Sequence, residues 1–213
     1  MKTDDLISML AAGPDVRPPA LPTTRIAATT GVALLVSLLL MMLLLGVRAD
    51  LDQAMQGGAF WQKVLFVAAL AAGGAIASKR LAIPGASTAR AAMLVAAPVV
   101  LMWAFAALVL AGAAPEQRMS LFLGSTWRVC PWLIGALSLP IFGALLHAMR
   151  ALAPTRLRWA GAAAGFTAGA LAAVIYCLHC PEVAAPFVAF WYLVGVLLPA
   201  ALGALIGPRV LAW

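Results

Sequence analysis

The three cysteines are the residues of this 213-residue chain best able to do chemistry. Cys177 and Cys180 stand one helical turn apart in the stretch "YCLHCPE", with His179 between them, and Cys130 lies earlier, in "WRVCPWL". Such cysteines could be a thiol–disulfide pair, ligands for a soft metal, or small apolar residues in a packed core. The residue types alone leave all three interpretations open.

The number of available ligands argues against a permanent metal site. A structural zinc ion takes four ligands, whereas Cys177, His179 and Cys180 supply three, of which the last two are consecutive and cannot share one helix face. We therefore predict that the chain holds no metal, and nothing in its sequence points to another cofactor.

Two of the cysteines precede prolines, in the dipeptides at 130–131 and 180–181. Because proline favours the first position of a helix, we predict that Cys130 and Cys180 each cap the N-terminus of a helix at the same membrane face. A helix N-terminus and a basic neighbour such as Arg128 favour the thiolate. Thiols exposed there to an oxidising compartment could form a disulfide or capture a soft metal or electrophile, whereas Cys177 is predicted to be a packing residue.

The composition predicts an integral membrane protein, since 65% of the residues are hydrophobic and only 10% are charged. The chain lacks the short alternating segments of a membrane β-barrel, so the predicted fold is all-α, a polytopic bundle of six transmembrane helices. Their interiors hold no charged residue away from the ends, which argues against an ion-coupled pump or a small-molecule carrier. The six runs are Ile26–Gly46, Phe60–Ala77, Ala91–Gly112, Cys130–Met149, Trp159–Leu178 and Val183–Ile206.

The basic residues predict the orientation of this bundle. With a cytoplasmic N-terminus, the inner side holds Lys2, Arg17, Arg25, Lys79, Arg80, Arg90, Arg150, Arg156, Arg158 and Arg209, and the outer side Arg48, Lys63, Arg118 and Arg128. The positive-inside rule then places both termini in the cytoplasm. Topology and contact with anionic lipid explain the net charge of +7, so we predict membrane lipid as a partner and no direct binding of nucleic acid.

The first 25 residues are predicted to be a cytoplasmic segment, followed by a transmembrane domain over residues 26–213. Acidic residues in "MKTDD" and a late, long apolar run argue against a signal peptide. A short helix is expected before "AAGPD", with Thr3 as N-cap, Asp4 and Asp5 at its positive end, and Leu6, Ile7 and Leu10 on its apolar side. It could be a frayed tail, an interfacial anchor, or a recognition helix for a protein groove, and its acids favour the last.

Small residues and one tryptophan bear on how the spans pack. Gly161, Gly165 and Gly169 recur at intervals of four in the fifth span, which allows close approach of helix backbones. We expect them to serve packing within the chain in preference to a dimer interface, and the oligomeric state stays open. Trp103, near the middle of the third span, is predicted to lie in the bundle core.

Several of these motifs together resemble the NrsF-type family of bacterial membrane anti-sigma factors. The resemblance rests on "MKTDDLI", "WRVCPWL", "LHCPE" and "APFVAFWY", and on the six-span layout. It implies a protein of the bacterial inner membrane, not an enzyme, that binds an extracytoplasmic-function sigma factor through the segment from Thr3 to Leu10. It also implies that Cys130 and Cys180 sense stress on the outer side.

An alternative hypothesis is a membrane thiol–disulfide oxidoreductase that uses the Cys177 and Cys180 pair. Such an enzyme normally needs two working pairs, and three cysteines provide one pair and a remainder.

Overall fold

The computed structural model describes residues 3–11, 23–83 and 87–212, and helices make up most of them. In chain order these are α1 (Thr3–Ala11), α2 (Thr23–Leu44), α3 (Leu51–Gln56), α4 (Gly58–Leu81), α5 (Ala89–Gly112), α6 (Pro115–Leu123), α7 (Cys130–Arg150), α8 (Leu157–Tyr176), α9 (Ala185–Phe187) and α10 (Leu193–Val210). A single π-helical turn, Val188–Tyr192, joins α9 to α10. No strand occurs among the described residues.

Six segments are long and apolar enough to cross a membrane, as the sequence predicted. They are α2, α4, α5, α7, α8, and the continuous stretch from α9 through the π turn to α10. The short helices α3 and α6 were not predicted. Helix α6 begins with Pro115 and has Glu116 in its first turn, which are residues that favour a helix start.

Helix α8 is the centre of the bundle and packs against α10, α4 and α7. Its glycines and alanines let α10 approach until the two backbones touch. A Cβ atom on Gly161 would overlap the carbonyl oxygen of Gly203, and one on Gly165 would overlap that of Pro199. A Cβ on Gly169 would lie 2.8 Å from the Pro199 side chain. Side chains larger than hydrogen are therefore sterically excluded from this contact.

Hydroxyl groups link neighbouring spans inside the bundle. The hydroxyls of Ser78 in α4 and Thr167 in α8 lie 3.0 Å apart, and Thr167 also donates to the Ala163 carbonyl at 2.7 Å. Ser37 in α2 donates to the Leu137 carbonyl of α7 at 2.9 Å. In a site without water these bonds satisfy groups that would otherwise be unpaired.

The π turn places the sixth span against α5 and α6. The indole nitrogen of Trp103 donates to the Ala189 carbonyl at 3.0 Å, and that of Trp191 donates to the Phe122 carbonyl at 2.9 Å. The expectation that Trp103 lies in the core is wrong, because 51% of this residue is exposed. Its ring lies at the edge of the bundle while its nitrogen binds inward.

The expected N-terminal helix is present as α1, which begins at Thr3 and ends at Ala11. Asp4 and Asp5 lie in its first turn and are exposed, and 59% of Ile7 is exposed. The side chains of Leu6 and Leu10, and the predicted spacer over residues 12–22, lie outside the described part of the chain.

Candidate functional site

The three cysteines meet at one end of the bundle. Cys130 is the first residue of α7, Cys177 directly follows α8, and Cys180 lies in the 177–184 loop that joins α8 to α9. All three are free thiols, with exposed fractions of 0%, 1% and 0% respectively. The fold therefore buries Cys130 and Cys180, which the sequence predicted to be exposed, and that prediction is wrong.

The side chains of Cys130 and Cys180, distant in sequence, interact with each other in this cluster. The Tyr176 side chain also interacts with Cys130, and the Thr126 hydroxyl lies 4.0 Å from the Cys180 sulfur. Cys180 and Cys130 thus form the close thiol pair of the cluster.

A buried lysine faces these thiols from α4. Only 1% of Lys63 is exposed, and its Nζ donates to the Cys180 carbonyl at 2.8 Å and to the Glu182 carbonyl at 2.9 Å. The same Nζ lies 5.8 Å from the ring centroids of both Phe60 and Tyr192, within the range of a cation–π contact. Carbonyl dipoles and aromatic faces thus replace the water that a charged lysine would otherwise require.

Two further elements fasten the 177–184 loop. The Arg48 backbone amide donates to the Leu178 carbonyl at 3.1 Å, and its guanidinium donates to the Cys180 carbonyl at 3.3 Å. His179 Nδ1 lies 2.9 Å from the Gly46 carbonyl; since a carbonyl only accepts, this nitrogen carries the proton. The loop is thereby bonded to the C-terminal end of α2.

The connection between α6 and α7 binds the loop from the other side. The carboxylate of Glu182 accepts hydrogen bonds from the backbone amide and the hydroxyl of Ser125, both at 2.7 Å. The neighbouring Gly124 has φ of +57°, and a Cβ there would lie 2.7 Å from the Glu182 carboxyl carbon. Glycine is thus required both by the backbone angle and by the close approach.

The structure corrects two further predictions about the Cys-Pro dipeptides. Cys180 does not cap a helix, because α9 begins only at Ala185 and takes Pro186 into its first turn. Instead the Cys180 amide donates to the Tyr176 carbonyl at 3.0 Å and ends the α8 region. The cation facing the thiols is Lys63, whereas the guanidinium of Arg128 lies over the Trp127 ring at 5.1 Å.

The surroundings of the two loop thiols have opposite effects on their pKa values. The hydrogen bond from Cys130 lowers the pKa of Cys180 against the effect of burial, and Tyr192, Lys63 and the Glu182 backbone amide lower it further. Burial raises the pKa of Cys177 to about 12. Of these two thiols, Cys180 is therefore the better nucleophile.

The predicted site residues fall into separate groups. Cys130 and Cys180 come together, Gly161, Gly165 and Gly169 lie at the α8–α10 contact, and Thr3, Asp4, Asp5 and Ile7 belong to α1. In the described residues, no group of three or more His, Cys, Asp and Glu side chains is arranged to hold a metal ion.

Sequence reasoning missed Lys63 and the two tyrosines of the cluster, Tyr176 and Tyr192. The basic residues predicted for the outer side include Lys63, near the start of the second span, and the structure places it at the sixth position of α4 with its side chain buried. The signal was present in "FWQKVLFVAAL", because a lone lysine inside an apolar run is costly unless it has a buried partner. The tyrosines carried no comparable signal.

The fold and the site are those of an all-helical protein with six helices long and apolar enough to cross a membrane, in which a buried lysine binds the backbone beside a cluster of buried thiols. Residues 10–213 match the family described as "Negative regulator of sigma F", and the chain belongs to this family. It is 51% identical to a protein of Azospira oryzae named "Probable anti-sigma-F factor NrsF", with all of both chains covered. It is 38% identical to the "Anti-sigma-F factor NrsF" of Caulobacter vibrioides, again over the whole of both chains. No solved structure matches the chain.

Proposed function

We propose that this chain is a membrane-bound anti-sigma factor that holds an extracytoplasmic-function sigma factor inactive through α1 and releases it when Cys130 and Cys180 react with a stress signal. The observation that carries the proposal is the similarity, over their full lengths, to two relatives named anti-sigma-F factors. In this proposal the protein lies in the bacterial inner membrane with both termini in the cytoplasm, and it has no catalytic activity.

The properties of α1 support its role as the sigma-factor contact. Spacing places Leu6, Ile7 and Leu10 on one side of the helix, and Ile7 is largely exposed. A helix of 9 residues is marginal by itself in water, so it gains stability by docking its apolar side on a partner. The acids Asp4 and Asp5 favour a protein surface over an anionic membrane.

Replacing Ile7 with aspartate tests this contact. Burial of an isoleucine side chain contributes about 1.5 to 3 kcal/mol, so Ile7→Asp should weaken sigma-factor binding by roughly tenfold or more. Binding would be measured by titrating purified sigma factor against the full-length protein in detergent. Ser8→Asp is the matched control, because Ser8 is exposed and lies on the opposite side of the helix. Equal affinities of both variants and the wild type would show that α1 is not the contact.

The cysteine pair supports the role of sensor. Two thiols whose side chains already interact are suited to being joined by a disulfide or to sharing a soft metal or electrophile. A tenfold change in affinity for the sigma factor requires only about 1.4 kcal/mol of difference between two states of the bundle. A new cross-link at the start of α7 and the end of α8 could supply a difference of that size.

Serine variants test the sensor. Cys130→Ser and Cys180→Ser should keep transcription from a sigma-dependent reporter at its uninduced level when cells are exposed to a thiol oxidant such as diamide. Cys177→Ser is the matched control, since it makes the same change in the same cluster and should leave induction intact. Normal induction in both Cys130→Ser and Cys180→Ser cells would refute sensing by this pair, while leaving the α1 contact untouched.

A further inference from the structure

Lys63 is the charged side chain whose burial is least explained by packing alone. It lies inside a membrane-spanning helix with 1% of its surface exposed. In the described residues, Arg48 and Asp50 form a salt bridge, whereas Lys63 forms none with a carboxylate. A buried ammonium at this position is expected to serve a purpose beyond stability.

We propose that Lys63 is the positioning residue of the cysteine site: its ammonium group closes the 177–184 loop over the thiols and makes Cys180 the cysteine that reacts first with thiol-directed electrophiles. The proposal deepens the proposed function, because it concerns the same thiol pair. It differs from that function in being a statement about chemical reactivity, which can be measured without any sigma factor.

Two contacts support the closing role. Lys63 Nζ binds the carbonyls of both Cys180 and Glu182, so one side chain from α4 fixes the loop on each side of Pro181. Those carbonyls also point their negative ends at the ammonium. These two hydrogen bonds hold the Lys63 side chain in the site and keep it from turning toward the membrane surface.

The ordering of reactivity follows from the groups that face Cys180. A thiolate at Cys180 would have a hydrogen-bond donor in Cys130 and a fixed positive charge in Lys63. Cys177 is held as a thiol by burial, which leaves it unreactive. The titratable and charged groups around Cys180 are Cys130 from α7, Tyr176 from α8, Cys177 from the loop, Tyr192 from the π turn, Lys63 from α4 and Arg48 from beyond α2.

Arg48 provides a matched control for Lys63. It also binds the Cys180 carbonyl, but its charge is compensated by Asp50, whose carboxylate accepts two hydrogen bonds of 2.7 Å from the guanidinium. Removing Arg48 together with the Asp50 carboxylate, as in Arg48→Met combined with Asp50→Asn, therefore loosens the loop without changing the net charge near the thiols. Removing the charge of Lys63 changes both.

The test is alkylation of the full-length protein in membrane vesicles by N-ethylmaleimide, followed for each cysteine by mass spectrometry as a function of pH. In this reaction the thiolate sulfur forms a bond to one alkene carbon, the C=C π bond breaks, and the other carbon takes a proton from water. Because only the thiolate reacts, the midpoint of the pH profile reports thiol acidity. The plateau at high pH reports how often the loop opens.

We expect Cys180 to be modified before Cys130 and Cys177 in the wild-type protein at pH 7. Lys63→Gln keeps donors for the carbonyls without the charge and should raise the Cys180 midpoint by about 1 to 3 pH units. Lys63→Arg should keep the wild-type midpoint. The double variant Arg48→Met with Asp50→Asn should raise the plateau and leave the midpoint unchanged.

Two results would overturn the proposal. One is modification of Cys130 or Cys177 ahead of Cys180 in the wild type, which can be read even if the Lys63 variants fail to fold. The other is a Lys63→Gln profile that differs from wild type only in its plateau, as expected for the Arg48→Met and Asp50→Asn double variant, because Lys63 would then be a structural anchor alone. The two proposals can fail separately. If Cys180 reacts first, as expected, but cells with Cys180→Ser still respond to stress, the sensor function is refuted and this proposal stands.

Discussion

At the scale of single residues, identical local sequences have different structural roles at the two Cys-Pro sites. Cys130 begins α7 with Pro131 in its first turn, whereas Cys180 precedes a short extended stretch and Pro186 takes the corresponding place in α9. The dipeptide correctly indicated a helix start at Cys130 but not at Cys180, which ends the α8 region. It could not show which proline begins the sixth span, because both Pro181 and Pro186 satisfy the same local preference.

The burial of Lys63 shows a second limit of sequence reasoning at this scale. The residue was visible as a lone charge near a span end, where a lysine side chain commonly extends to the membrane surface. Its inward direction depends on the carbonyls of Cys180 and Glu182, which are far away in sequence. Only the tertiary arrangement of α4 and the loop decides between these two outcomes.

Cys177 gives a pH-dependent prediction at the same scale. Its pKa is raised by burial to about 12, so the folded protein holds this proton more tightly than the unfolded chain. The stabilising contribution is complete below the unfolded pKa, near 8.5, and is lost as the pH rises from there toward 12. We expect the thermal unfolding temperature of the detergent-solubilised protein to fall less steeply between pH 8 and pH 10.5 in Cys177→Ala than in the wild type. Parallel slopes for the two proteins would contradict this origin of alkaline instability.

At the scale of helices, membrane-length segments were predictable because hydrophobic length alone defines them. Their packing partners were only partly predictable. The spacing of Gly161, Gly165 and Gly169 indicates a close contact without naming the other helix, and α10 supplies Pro199 and Gly203 at the matching positions. The short helices α3 and α6 were missed because each is too brief to give a periodic signal.

The α8–α10 contact makes the element-scale prediction. Gly165→Ala places a methyl group on the Pro199 carbonyl, which should force the helices apart and lower the free energy of unfolding by about 1 to 3 kcal/mol. Gly143→Ala makes the same chemical change in α7, where a Cβ would meet nothing within 4 Å, and should be neutral or stabilising by about 0.5 to 1 kcal/mol. Thermal unfolding of both variants in detergent measures the difference. Similar unfolding temperatures would show that α8 and α10 do not depend on backbone contact.

At the scale of the whole molecule, the cysteine site and the start of the bundle lie at opposite ends of α2. This helix of 22 residues is about 33 Å long. Its C-terminal end is bonded to the 177–184 loop through Gly46 and Arg48, and its N-terminal end leads toward α1. Under the proposed function, α2 is therefore the most direct path from the thiols to the sigma-factor contact, through these hydrogen bonds and then along the chain. Neither this path nor the bonds that complete it could be inferred from composition, since they join residues that are far apart in sequence.

The π turn at Val188–Tyr192 has a consequence for the whole sixth span. A π turn accommodates one residue more than an α turn, and each residue of an α-helix advances the helix by about 100°. The extra residue therefore rotates α9 about the helix axis by about that angle, relative to its direction in an uninterrupted α-helix with α10. The π turn thus sets which side of α9 faces α5 and α6, and at this turn the Ala189 carbonyl accepts a hydrogen bond from the Trp103 indole.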